Sequence, residues 1–263
     1  MTASNTLFRV FPVVLLAVSL LFTSGCARNR TKANRLDTAY IARDAETIYT
    51  LARQTLDRQN YKQAAALFDE VERQHPYSIW ARRAQLMSAF SHYAARDYSA
   101  AILSAQRFLS LHPGNRDAPY AYYMIAMSYY EQIADVSRDQ RVTEQARSAM
   151  TELVRRYPNS PYAADARLKL DLINDHLAGK EMEIGRFYAR NRQWIAASIR
   201  YRRVIDDYQT TSHVPEALFR LIEAYLALGV PEEAQRSAAV LGYNFPGSVW
   251  YERGFRLMQT HAG

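Results

Sequence analysis

The stretch Ile184-Gly185-Arg186-Phe187-Tyr188-Ala189-Arg190-Asn191-Arg192-Gln193-Trp194-Ile195-Ala196-Ala197 decides the fold. A small residue is followed three positions on by an aromatic. After a polar break comes a second aromatic, and three positions beyond it an alanine. On two paired helices, small side chains at Gly185 and Ala197 let the backbones approach, and Tyr188 and Trp194 fill the gap to the next pair. The pattern recurs. Helix ends of the His/Tyr-Pro type stand at Gln74-His75-Pro76, Leu111-His112-Pro113, Arg156-Tyr157-Pro158 and Asn244-Phe245-Pro246, with a variant at Asp207-Tyr208-Gln209. Counted from Pro76 through Pro113, Pro158 and Gln209 to Pro246, the spacings are 37, 45, 51 and 37 residues. Twelve positions before each mark stands an alanine: Ala64, Ala101, Ala146, Ala197 and Ala234. Tyr61, Tyr98 and Trp194 lie three residues before their alanines, where a second helix should begin. Each first helix pairs a small residue with large ones: Ala52 with Leu56, Ala89 with Tyr93, Ala126 with Tyr129 and Tyr130. Proline ends the second helix because it cannot continue the backbone ladder.

This pattern resembles the tetratricopeptide repeat, a helix pair of about 34 residues. The reading predicts an all-α fold, a right-handed superhelix of about five such pairs over residues 40–247. An extra helix, roughly Pro161–His176, precedes the fourth pair, and a helix at roughly Val249–Met258 caps the end. The third unit carries an excess loop around Asp135–Gln140. The predicted organisation is 1–25 signal peptide, 26–38 lipidated cysteine and flexible tether, 39–160 repeats one to three, and 161–263 repeats four and five with the cap.

Composition agrees. Glycine is 9 of 263 residues, about 3% against a usual ~7%. Alanine, the best helix former, numbers 39. The net charge is +7. Only Lys32, Lys62, Lys169 and Lys180 of the basic residues are lysines, and arginine suits bidentate contacts with other proteins. Because acids are interspersed with these charges, the chain does not read as a nucleic-acid binder.

The N-terminus reads as a targeting segment. Arg9 precedes a 13-residue apolar run from Val10 to Phe22, interrupted by Pro12 and Ser19. That is short of the ~20 residues a membrane span needs and fits a signal-peptide core. Thr23-Ser24-Gly25 then lead into Cys26, the one cysteine of the chain. Small residues before such a cysteine resemble a lipoprotein lipobox, which implies lipidation of Cys26. Ala27, in place of Asp, implies sorting to the outer membrane. A single cysteine excludes an intramolecular disulfide. Arg28, Arg30, Lys32 and Arg35 make the tether basic.

Catalytic signatures are absent from the sequence. None of His75, His92, His112, His176, His213 and His261 is paired at metal-ligand spacing, and there is no Gly-rich phosphate loop or GxSxG elbow. Glu181 and Glu183 project from different sides of a helix and read as solvated. No enzyme activity, cofactor or metal is expected. The sequence points to a peptide-binding surface instead. Tyr77, Trp80, Tyr120 and Tyr122, at helix starts or turns between repeats, are the candidates for contacts with an unfolded client. Tyr61, Tyr98, Tyr188 and Trp194 read as repeat core.

Beyond the repeats, the chain resembles the BamD family, lipoprotein subunits of the outer-membrane β-barrel assembly machine. The residues that carry this are Val71–Ser78, Tyr122–Tyr130, the loop Asp135–Gln140, Tyr208–Gly229 and the long second and third spacings. The resemblance implies a non-catalytic scaffold on the periplasmic face of the outer membrane. Its C-terminal repeats would dock on the POTRA domains of the barrel-forming insertase subunit. Its N-terminal repeats would receive unfolded outer-membrane proteins, with accessory lipoproteins as further partners. The resemblance also places Arg200 at a contact with the barrel subunit, with Arg203 in the same basic stretch. Periodicity alone puts Arg200 near the buried face, which leaves two readings: an internal salt bridge, or a reach past the rim to a partner carboxylate. The alternative function is a periplasmic repeat protein coordinating cell-wall synthesis with envelope constriction. A repeat-fused murein hydrolase would need a catalytic domain, for which the repeats leave no room.

Overall fold

The computed structural model describes residues 44–261; the signal segment, Cys26 and the basic tether lie outside the described residues. Eleven α-helices make up the described chain: α1 Ala45–Asp57, α2 Tyr61–Gln74, α3 Ile79–Ala94, α4 Tyr98–Leu111, α5 Ala118–Tyr130, α6 Arg141–Arg156, α7 Pro161–Arg190, α8 Trp194–Asp207, α9 Val214–Ala227, α10 Pro231–Asn244 and α11 Val249–His261. Each packs on its chain neighbour, and the first helices of successive pairs, α1, α3, α5 and α7, also touch one another. No described helix is long and apolar enough to cross a membrane.

The five marks read from the sequence share one backbone geometry. His75, His112, Tyr157, Tyr208 and Phe245 cap α2, α4, α6, α8 and α10 at φ near −135 to −132° and ψ of 46 to 58°. Each cap N–H donates to a carbonyl four residues back, on Val71, Phe108, Leu153, Val204 or Leu241. Those five side chains are fully buried, so each helix ends with its last apolar residue seated in the core. A following proline excludes the α region for the capping residue. Tyr208 holds the same geometry without one. The five marked alanines are all 0% exposed. Ala197 lies where α8 crosses α7, and Ala197→Leu should overpack that crossing at a cost of about 1–3 kcal/mol. A thermal melt checks it; a melting temperature equal to that of the wild type would displace the repeat register.

The turns inside the pairs carry a second regularity. Gln59, Arg96, Arg192 and Gly229 sit two residues before α2, α4, α8 and α10 and have φ of 60, 61, 58 and 74°. In each, the left-handed residue and the next one donate their N–H groups back to the end of the first helix. Arg96 bonds Tyr93 O and Asp97 bonds His92 O, both at 2.9 Å. These bonds satisfy the carbonyls a helix end leaves free. Only Gly229 announces itself in the sequence; the other three positions bear the left-handed cost on ordinary side chains. The third pair lacks the device, and residues 131–140 form a longer loop there.

The extra helix anticipated before the fourth pair is continuous with that pair's own first helix. Together they form α7, 30 residues and about 45 Å long. Ser160 starts it by accepting the Ala163 N–H, with Pro161 at the first position. It packs on both α6 and α8. The apolar core divides in two. A small cluster of Ile48, Ala52, Ala64, Phe68, Val71 and Ala84 holds the first pair, and a larger one runs from Leu86 to Leu241. Polar side chains of α2, α3 and α4 occupy the seam: Ser88 donates to Asp69 at 2.6 Å, Gln85 donates to Glu72, and Arg107 also bonds Glu72.

Candidate partner-binding site

Arg200 and Arg203 lie on α8, three residues apart and so on one face. Ala197, Tyr201 and Val204 fix that helix's register by facing the core. Both guanidiniums converge on one acid of α7. Arg200 Nη1 donates to Glu181 Oε2 at 3.1 Å, and Arg203 Nη1 approaches Glu181 Oε1 at 3.0 Å. Glu181 is therefore not solvated as its sequence position suggests. It is 7% exposed, because α8 crosses directly over it. Two arginines supply the pairing that its burial demands. Glu181's charge raises the Arg203 guanidinium above its ordinary pKa, and Asp207 adds to it. Glu183 faces away, half-exposed, 3.7 Å from Lys180.

Of the two readings open for Arg200, the internal salt bridge is present. It does not use up the side chain. A guanidinium has five N–H donors, and the Arg200 side chain stays one-third exposed and that of Arg203 nearly half. The pair thus presents positive charge at the surface while anchored from below.

Beneath it, Tyr201 lies flat against α7. A Cβ at Gly185 would stand 2.8 Å from Tyr201 Cδ1 and closer still to Cε1, so the glycine is needed for the ring to seat. Burial pushes the Tyr201 phenol up to about 12, and its hydroxyl has no hydrogen-bond partner among the described residues. A second knot ties α7 to α9. Arg186 Nη1 donates to both Glu216 oxygens at 3.0 Å, and Arg220 bridges Glu216 and Glu223. The sequence does not single out Tyr201 or Glu216, and it presents Glu181 as solvated. The significance of all three lies in contacts across helices, which periodicity on one helix does not reveal.

The four aromatic candidates stand in separate places. Tyr77, in the turn before α3, is fully exposed. Trp80 stacks on Tyr49 at 4.9 Å and packs against the small core. Tyr120 meets Tyr162 at 5.5 Å, beside Tyr123, whose hydroxyl donates to Asp165. Burial and the neighbouring Tyr162 push the Tyr120 phenol up to about 12. Tyr122, two residues on and so around the helix, meets Tyr157 and lies under Arg156. Tyr123 and Tyr162, absent from the sequence-based set, are what turn Tyr120 into an aromatic cluster.

Among the described residues, no three His, Cys, Asp or Glu side chains are grouped as a metal site would need.

Comparison with known proteins places the chain in a family. Residues 41–241 match the family model described as "YfiO: Outer membrane lipoprotein". The chain belongs to that family. A relative from Caulobacter vibrioides, named outer membrane protein assembly factor BamD, is 52% identical over 257 residues, covering 97% of this chain and 83% of that one. The protein of the same name from Rickettsia prowazekii is 42% identical over 244 residues, 93% of this chain and 97% of its own. Among solved structures, a thermophilic tetratricopeptide-repeat protein of Thermus thermophilus is 19% identical at a TM-score of 0.38, covering 81% of this chain and 98% of that one.

Proposed function

We propose that this chain is a lipid-anchored, non-catalytic scaffold of outer-membrane β-barrel assembly. The observation that carries the reading is the match of residues 41–241 to an outer-membrane lipoprotein family whose relatives bear the assembly-factor name. Repeats four and five, residues 161–263, dock on the POTRA domains of the barrel-forming insertase subunit through Arg200 and Arg203. The exposed parts of these two guanidiniums suit a partner carboxylate. Repeats one to three, residues 39–160, receive unfolded outer-membrane proteins, with Tyr77, Trp80, Tyr120 and Tyr122 as contacts. Accessory lipoproteins complete the assembly.

A pull-down from detergent-solubilised outer membranes tests the reading. Recovery of the barrel-forming insertase is the expected result. Recovery of murein synthases in its place would favour a cell-wall coordinator.

The anchor is part of the same proposal. Acyl chains on Cys26 hold the protein to the periplasmic face of the outer membrane, each buried CH₂ contributing about 0.8 kcal/mol. Cys26→Ser should abolish metabolic labelling by a fatty-acid analogue and leave the protein uncleaved or free in the periplasm. Label retained by the variant would refute lipidation at this residue.

A further inference from the structure

The middle of α7 carries an exposed apolar pair beside two clefts. Leu168 and Leu172, one turn apart, are 68% and 60% exposed. A cleft of about 500 Å³ opens on one side of Leu172 and His176, reaching Asp135 and Asp175. Another of about 400 Å³ opens on the other side, reaching Glu131 and Ile133.

Several acids of the fold are neutralised by a base. Glu72, Asp165, Glu181, Glu216 and Glu223 each hold an arginine or lysine. Around the leucines, Glu131 accepts only the Tyr93 hydroxyl, Asp135 accepts from Ser137, and Asp175 accepts from Ser212 with His213 3.7 Å away. Asp171 is exposed and has no polar partner among the described residues. Among the described residues, four carboxylates with no arginine or lysine in ion-pair contact therefore lie around Leu172, in a chain of net charge +7. The nearby cations Lys169, Lys180 and Arg186 are each engaged by another acid, Asp165, Glu183 and Glu216, so the four acids leave this surface negative around its exposed leucines.

The geometry points to a docking surface on α7 for a protein segment in which apolar residues are flanked by arginine or lysine. The apolar residues cover Leu168 and Leu172 and enter the clefts beside them. The cations reach Glu131, Asp135, Asp171 and Asp175, exchanging water for charge-assisted hydrogen bonds. Ser137 hydrogen bonds hold Asp135 below its ordinary pKa, so it stays charged. This surface uses none of the residues assigned above to the barrel subunit or to clients, and it stands or falls separately from those assignments.

The test is fluorescence anisotropy on the full chain with a short labelled peptide mixing Arg and Leu. Two control peptides carry Glu for Arg or Ser for Leu. The Arg/Leu peptide should bind, and both controls should bind at least about tenfold more weakly. Leu168→Ser/Leu172→Ser and, separately, Asp171→Arg should each weaken it by a similar factor. Both variants change exposed side chains, so their melts should match the wild type. Absence of binding at about 1 mM peptide overturns the proposal. So does equal binding of either control, or equal binding by both variants.

Discussion

Gly185→Ala should lower the melting temperature by about 4–8 °C, although alanine is the better helix former. Two effects oppose each other. Replacing glycine by alanine inside a helix gains about 1 kcal/mol in propensity. Against that, the new Cβ would stand 2.8 Å from Tyr201 Cδ1 and closer still to Cε1, inside any tolerable contact. Tyr201 is 1% exposed and walled in by the main core, so its ring cannot swing aside without moving α8. Overpacking of this kind costs up to about 3 kcal/mol, which leaves a net loss of about 2 kcal/mol. Gly114→Ala is the control: nothing lies within 4 Å of the added carbon, and its melt should match the wild type. Gly185→Ala/Tyr201→Leu should recover part of the loss, since the smaller side chain vacates the contact. Calorimetric melts of the four proteins check the argument. An unshifted Gly185→Ala would mean that α7 and α8 do not pack as described.

Arg200→Glu should be destabilising and should also weaken docking. Removing one member of a buried ion pair costs about 3–5 kcal/mol when the other is left alone. Here Arg203 remains 3.0 Å from Glu181, and Arg200 is one-third exposed, so the loss should be smaller, about 2 kcal/mol. The substitution also sets a second carboxylate against Glu181. Charge exchange by Glu181→Arg/Arg200→Glu should restore part of the stability. It should not restore affinity for the POTRA region, because the surface then offers an acid where the proposal needs a base. Affinity of the single variant should fall more than about tenfold, as for truncation of a desolvated interfacial charge. Melting and binding measured on the same protein separate the two roles. A lowered melting temperature with wild-type affinity in the folded fraction would confine Arg200 to its internal bridge.

Both predictions concern the crossing of α7 and α8, and they divide differently between sequence and structure. The small residue at 185 and the alanine at 197 are legible in the chain, because helical repeats impose their spacing on every copy. The identity of the residue that requires Gly185 is not. Tyr201 sits in an arginine-rich run, Ile199-Arg200-Tyr201-Arg202-Arg203, and although it shares a helix face with Ala197 and Val204, nothing in its own helix names the glycine it packs on. Glu181 misleads for the same reason. Its own helix gives it a polar neighbourhood, and only the approach of α8 buries it and supplies two arginines.

The sequence by itself determined the all-α class, the five helix pairs, their terminating caps and the positions of closest helix approach. These follow from local rules: proline stops a ladder, alanine permits contact, and a repeated unit repeats its constraints. The proposal of an acyl anchor at Cys26 rests on the sequence alone. Tertiary structure alone decided that the extra helix and the fourth repeat's first helix are one rod, because residues 161–190 pack as a single helix on both α6 and α8. It also decided which charges neutralise each other. Ion pairs form between helices set side by side by packing, and distance in the chain holds no record of that adjacency.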